Sequence, residues 1–83
     1  MMNSISTIKN TNLSIDGMHI KNYEPTMIKE LRARNKVSQG LLAKLMNTSL
    51  STVRQWESGY RQPSGPSLKL LNIIERHGID ALL

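Results

Sequence analysis

Between residues 38 and 57 the sequence SQGLLAKLMNTSLSTVRQWE carries apolar positions at a helical spacing twice over. Leu42, Ala43, Leu45 and Met46 share one face of a short helix. Ser38 stands just ahead of them, where its hydroxyl can accept from the orphan amides of a first turn. Asn47 follows, and Asn tolerates a left-handed backbone better than most residues other than Gly. Ser49 can cap a second helix in which Val53 and Trp56, at i and i+3, point inward. Ser51, Arg54 and Gln55 are then left facing out. The pattern predicts helices over residues 39–46 and 50–57, joined by a tight turn.

The flanks extend this helical reading. Pro25 suits a first helical turn and disfavours helix before it. It opens a predicted helix over residues 25–35 with Met27, Ile28 and Leu31 inward. Gly59 suits the left-handed cap that ends a helix. Another helix starts near Ser64-Gly65-Pro66-Ser67 and stops at Gly78; Leu68, Leu70, Leu71, Ile73 and Ile74 give it more than one apolar face. Leu41 lies off the Leu42–Met46 line, so either the core is wide there or an apolar spot is exposed. Ile79-Asp80-Ala81-Leu82-Leu83 is an apolar tail, and an exposed apolar terminus marks an interface. Ile79, Leu82 and Leu83 are therefore expected at a homodimer contact; the alternative is a monomer with the tail folded back.

Upstream, residues 1–22 are rich in Asn, Ser and Thr, and the first dozen show no period. Leu13 to Ile20 differs, with two short alternating runs flanking Asp16-Gly17, a strong hairpin signal. A lone hairpin is marginal in water. The segment therefore reads either as a frayed tail or as an arm that orders against a partner or a sister subunit. The expected organisation is an N-terminal arm over 1–23, partly disordered or a short hairpin, and an all-α domain of about five short helices over 24–83.

Composition narrows the chemistry. Eighty-three residues make one small domain. With no Cys there is no disulfide framework or thiolate metal site, and no apolar run is long enough to span a bilayer. A cytoplasmic location is expected, with no membrane role. The net charge of +5 is concentrated: Lys29, Arg32, Arg34, Lys36, Lys44, Arg54 and Arg61 face only Glu30 and Glu57 between residues 27 and 62, while the two ends are neutral. A polyanionic partner follows. Two distant His residues and four Glu supply no acid–base pair, nucleophile–base set or metal cluster, so neither an enzyme nor a cofactor is expected. A small inward face under a short, polar, basic outward face is what a major-groove reader needs.

Ser38-Gln39, Ala43, Val53 and the Trp56-Glu57-x-Gly59 ending resemble the helix-turn-helix of the Cro/repressor-like (Xre) family over about residues 27–78, with Asn47 where that family usually has Gly. Ser38-Gln39-Gly40, Trp56-Glu57-Ser58-Gly59 and Pro63-Ser64-Gly65 are further similar to HigA-type antitoxins, although plain repressors share most of these residues. The resemblance implies a lambda-repressor-like fold and a sequence-specific DNA-binding repressor in the bacterial nucleoid. It would act as the antitoxin of a type II HigB/HigA-like pair, binding a small basic toxin protein and repressing its own operon. The alternative is a free-standing repressor, phage or chromosomal, with no toxin. A homodimer would set two recognition helices one duplex turn, ~34 Å, apart over a palindromic operator.

By family position the base-edge residues are Leu50, Ser51 and Gln55. Gln39, Ser49, Arg54, Lys36, Lys44, Tyr60 and Arg61 are expected near phosphates or flanking bases. The chemistry suits each role, since Gln can bond adenine bidentately, Arg can bond guanine or phosphate, and Leu can meet a thymine methyl. Leu50 could equally pack against the preceding helix. The family also pairs an Arg at the position of Arg32 with the residue matching Glu57; the alternative for Arg32 is a phosphate contact.

Overall fold

The computed structural model describes residues 19–83. They form four α-helices and a closing 3₁₀ turn: α1 (Pro25–Asn35), α2 (Gln39–Leu45), α3 (Leu50–Ser58), α4 (Gly65–His77) and the turn Ile79–Leu82. The architecture is all-α, with the fifth expected helix reduced to that turn. Most of the hairpin expected over 13–20 lies outside the described residues; His19 and Ile20 carry no regular structure.

Local chemistry sets the helix ends. Pro25 opens α1, and Lys36 closes it in the left-handed region at φ 57°, its N–H bonded to the Ala33 carbonyl. The Ser38 hydroxyl accepts from the Leu41 amide at 3.0 Å and caps α2. That helix ends at Leu45, one residue short of expectation, because Met46 already serves as its cap. Asn47 then turns the chain at φ 57°. The Ser49 hydroxyl accepts from the Thr52 amide at 3.0 Å and starts α3. This helix runs one residue past expectation, to Ser58, before Gly59 stops it at φ 83°.

None of these helices is long enough to persist alone, so their stability comes from a shared core. Ile28 and Leu31 of α1, Leu42, Ala43 and Met46 around α2, Val53 and Trp56 of α3, and Leu71 and Ile74 of α4 are all buried. Leu45 is only half-buried, and Leu41 keeps 44 % of its surface exposed. The core therefore does not widen to take in Leu41.

Side-chain amides, rather than regular pairing, tie down both ends of the described chain. Residues 21–24 carry no regular structure, and buried Asn72 clasps them to α4. Its Oδ1 accepts from the Lys21 amide at 3.0 Å, while its Nδ2 donates to the Lys21 carbonyl at 3.0 Å and the Leu68 carbonyl at 2.9 Å. Tyr23 follows into the core, donating its hydroxyl to Glu75 and to the Leu71 carbonyl. Tyr23, grouped on sequence with the arm of residues 1–23, is thus part of the packed body. At the other end Asn35 Oδ1 accepts from the Ile79 amide at 3.0 Å, and Asn35 Nδ2 donates to the Leu31 carbonyl at 2.8 Å. The tail is folded back: Ile79 and Leu82 pack against this chain's own core, and only Leu83 stands out, at 82 % exposure. Of the three residues expected at an interface, two are therefore largely used within the chain.

Asn72→Ala leaves the Lys21 N–H and C=O without their partner beneath a packed strap. Urea unfolding should show a loss of about 1–3 kcal/mol, with faster hydrogen exchange at the Lys21 amide. Unchanged exchange there would show that the clasp does not hold the strap.

Candidate nucleic-acid interface

The rotation of α3 about its axis decides which side chains it offers to a partner. Val53 and Trp56 anchor one side in the core. Ser51 and Arg54 are consequently exposed, as the helical period requires. Leu50, in the first turn, is 38 % exposed. Gln55 is half-buried, with its backbone carbonyl accepting from the Arg61 amide at 3.2 Å and the Ser58 hydroxyl at 3.2 Å. Those bonds fold the loop after α3 back over its last turn. Tyr60, at 79 % exposure, and Arg61 ride on that loop, facing solvent. Lys44 on α2 and Lys36 between α1 and α2 are exposed as well. Ser49 is exposed, but its hydroxyl is already engaged as the α3 cap and by Thr52 Oγ1 at 2.9 Å.

Glu57, one residue beyond Trp56, is 6 % exposed. Its Oε2 accepts from Arg32 Nε at 2.6 Å, and its Oε1 accepts from Arg32 Nη2 at 3.0 Å. Arg32 Nη1 also donates to the Val37 carbonyl at 3.2 Å, closing the α1–α2 connection. Arg32 therefore makes an ion pair, with three of its five N–H donors engaged by Glu57 and the Val37 carbonyl. Gln39 Nε2 donates to Glu57 Oε1 at 3.0 Å, so the first residue of α2 joins the same group. Gln39 retains one Nε2 hydrogen and its Oε1 for another contact. Burial alone would push the Glu57 carboxyl up. The hydrogen bonds from Arg32 and Gln39, with the charges of Arg32 and Lys29, outweigh it and hold the group below the usual carboxylate range. Glu75 is held low too, mainly by bonds from Lys21 and Tyr23.

The sequence reading did not anticipate that Gln39 would bond to Glu57, that Tyr23 would enter the core or that Asn72 would be buried. A signal existed only for Tyr23: the chain has no Phe and a single Trp, so a core of this size needs aromatic volume from Tyr. Among the described residues no group of His, Asp or Glu is arranged to hold a metal ion, and no helix is long and apolar enough to cross a membrane.

Two short helices crossing through a left-handed turn, the second exposing a polar and basic face, define a DNA-binding helix-turn-helix unit. The helix-turn-helix family model matches residues 28–72, more than half of the chain, and the chain belongs to that family, in its Xre-type branch. It is 36 % identical over 56 residues to a Vibrio cholerae serotype O1 protein named Antitoxin HigA-2, an alignment covering 68 % of this chain and 54 % of that relative. The chain thus matches about half the length of that relative. Membership points to a DNA-binding regulator rather than an enzyme.

Arg32→Ala strands the Glu57 carboxylate and should cost about 3 kcal/mol, near the low end for a broken buried pair, because the Arg32 side chain keeps 23 % exposure. The pH dependence follows from the direction of the Glu57 shift. A carboxyl held low in the folded state stabilises above its unfolded pKa of about 4.3 and loses that contribution as pH falls through the folded value. Urea midpoints should therefore drop as pH falls below about 5, and Glu57→Gln should flatten that acid limb while lowering the plateau at neutral pH. An acid limb unaltered by Glu57→Gln would assign the pH dependence to other carboxyls.

Proposed function

We propose that this protein is a sequence-specific DNA-binding repressor that acts as the antitoxin of a HigB/HigA-like toxin–antitoxin pair and represses its own operon. The observation that carries the DNA half is the α3 face: Ser51, Arg54 and Gln55 turn away from the Val53–Trp56 anchor, and Leu50, one turn before Val53, keeps 38 % of its surface exposed. In this reading Leu50, Ser51 and Gln55 meet base edges in the major groove. Gln39, Ser49, Arg54, Lys36, Lys44, Tyr60 and Arg61 lie along the backbone or flanking bases. Phosphate contacts fix register without reading sequence, so specificity falls to the three base-edge residues.

The antitoxin half is supported by the likeness to Antitoxin HigA-2 over two thirds of the chain. The protein works as a homodimer over a palindromic operator in the bacterial cytoplasm. With Ile79 and Leu82 turned inward, Leu83 is the tail residue most available to that contact.

Capture of the tagged full-length chain from its own cells, in salt high enough to strip nucleic acid, tests the partner. Recovery of a stoichiometric small basic protein that regains toxicity when freed supports the antitoxin reading. Recovery of the chain alone, as a dimer that still binds its own promoter, makes it a free-standing repressor. For the DNA face, Gln55→Ala should relax discrimination at one base position and cost about 1–3 kcal/mol on the cognate site. Equal loss on every sequence would remove Gln55 from the base-reading set.

A further inference from the structure

Among the described residues, the polar contacts of the strap over residues 19–23 all end on α4. Asn72 bonds the Lys21 amide and carbonyl, Glu75 bonds the Lys21 ammonium and the Tyr23 hydroxyl, and the Leu71 carbonyl accepts from the same hydroxyl. The Lys21 ammonium also sits 5.5 Å over the Tyr23 ring, and Tyr23 itself is only 3 % exposed. No backbone–backbone hydrogen bond joins strap to body among these residues. Leu71, Asn72 and Glu75 thus make a site for a Lys-x-Tyr segment. An amide reads its backbone, a carboxylate reads its ammonium and phenol, and the core takes its ring. Nothing in this recognition requires the segment to come from the same chain. Its partners lie 48 to 54 positions away, and a single residue, Glu24, links it to α1. Glu24 is in the extended region at φ −79° and ψ 159°, and its carbonyl accepts from the Met27 and Ile28 amides. That region is broad in φ, so rotation at this one residue swings the strap off α4 while α1 stays capped.

We propose that this site on α4 is an interaction surface for a second copy of the chain, whose Lys21–Tyr23 segment enters it in exchange for the chain's own. A lone chain closes its strap on its own α4, and in the pair each strap closes on the other's, a reciprocal arrangement with two-fold symmetry. The same bonds form either way, so exchange sacrifices few contacts. The inference rests on the homodimer in the reading above and names the contact that forms it. The described surface otherwise offers a dimer little apolar area. Its exposed large apolar side chains are Ile20, Leu41, Leu50, Tyr60 and Leu83, of which Leu50 and Tyr60 are read above as DNA contacts. A stable interface buries about 1,200 Å² or more, and three side chains on separate elements fall short of that. Exchanged straps bring in Tyr23 and the Asn72 and Glu75 joints from both copies.

The Lys21–Glu75 ion pair makes the test direct, because a carbodiimide joins an ammonium to a touching carboxylate without a spacer and so links them in either arrangement. Full-length chain grown in ordinary medium and in heavy-nitrogen medium is mixed in equal amounts, unfolded in urea and refolded together. The mixture is cross-linked and digested, and peptides carrying the Lys21–Glu75 link are weighed by mass spectrometry. Sedimentation of the same mixture gives the oligomeric state. Exchange predicts a dimer in which about half of the linked peptides join a light half to a heavy half, as random pairing of two equivalent copies requires. A dimer whose links are only light–light and heavy–heavy overturns the exchange and leaves the homodimer reading intact, moving the contact to Leu83 and the surface around it. A chain that sediments as a monomer at every concentration overturns both readings.

Discussion

The Arg32–Glu57 ion pair is the contact on which the rest of the arrangement depends. It joins the middle of α1 to the end of α3, and through Gln39 it takes in the first residue of α2. Burying two ions has a desolvation cost that their mutual attraction repays only with good geometry and further hydrogen bonds. Here both conditions hold, because two parallel N–H bonds reach the carboxylate and a third donor completes it. The net stabilisation can still be small, and the value of the pair lies in direction. Val53 and Trp56 are apolar and tolerate some rolling of α3, whereas a bidentate pair does not. The face that α3 presents is therefore set by an apolar anchor along the helix and a polar stop at its end.

A core made from helices of 7 to 13 residues has little apolar area in reserve. That scarcity explains why side-chain amides do so much of the joining. Asn72 gives the Lys21 backbone a donor and an acceptor, as a neighbouring strand would, without needing a strand. Asn35 likewise supplies an acceptor to the orphan amide of Ile79, allowing the last turn to dock beside α1. Both residues also bond backward to a carbonyl of their own helix, which holds the rotamer that makes the distant contact.

Much of this could be read from the sequence where local chemistry decided the outcome. Ser38 and Ser49 cap because short hydroxyl side chains reach the next amides, and Asn47 turns left-handed because its steric penalty is small. The inward pair Val53 and Trp56 followed from helical spacing alone. The pairing of Arg32 with Glu57 came only through family resemblance, since the two lie 25 positions apart. What stayed hidden depended on tertiary context. Lys36 adopts a left-handed conformation that its residue type does not announce, held by bonds from its own amide to α1 carbonyls and by the Arg32 contact with the Val37 carbonyl. Asn72 looks like an ordinary polar position on α4 until the strap lies across it. The tail Ile79–Leu82 has the composition of an exposed interface, and only the clasp from Asn35 shows where those side chains go.

The distribution of carboxylates bears directly on the DNA-facing surface. The excess of +5 lies wholly between residues 27 and 62, but not all of those cations are available to a partner. Arg32 is committed to Glu57, and Arg34 lies where its charge acts on Tyr23 and Glu75, toward the strap. Lys21, outside that segment, is neutralised by Glu75. What remains is Lys29, Lys36, Lys44, Arg54 and Arg61, exposed on α1, α2, α3 and the loops that join or follow them. Exposed charges more than about 10 Å from a partner are largely screened at ordinary salt, so their positions matter more than their sum. In this fold the buried and strap carboxylates neutralise cations at structural joints. The positive surplus is left around α3, whose outward residues Ser51 and Arg54 stay exposed.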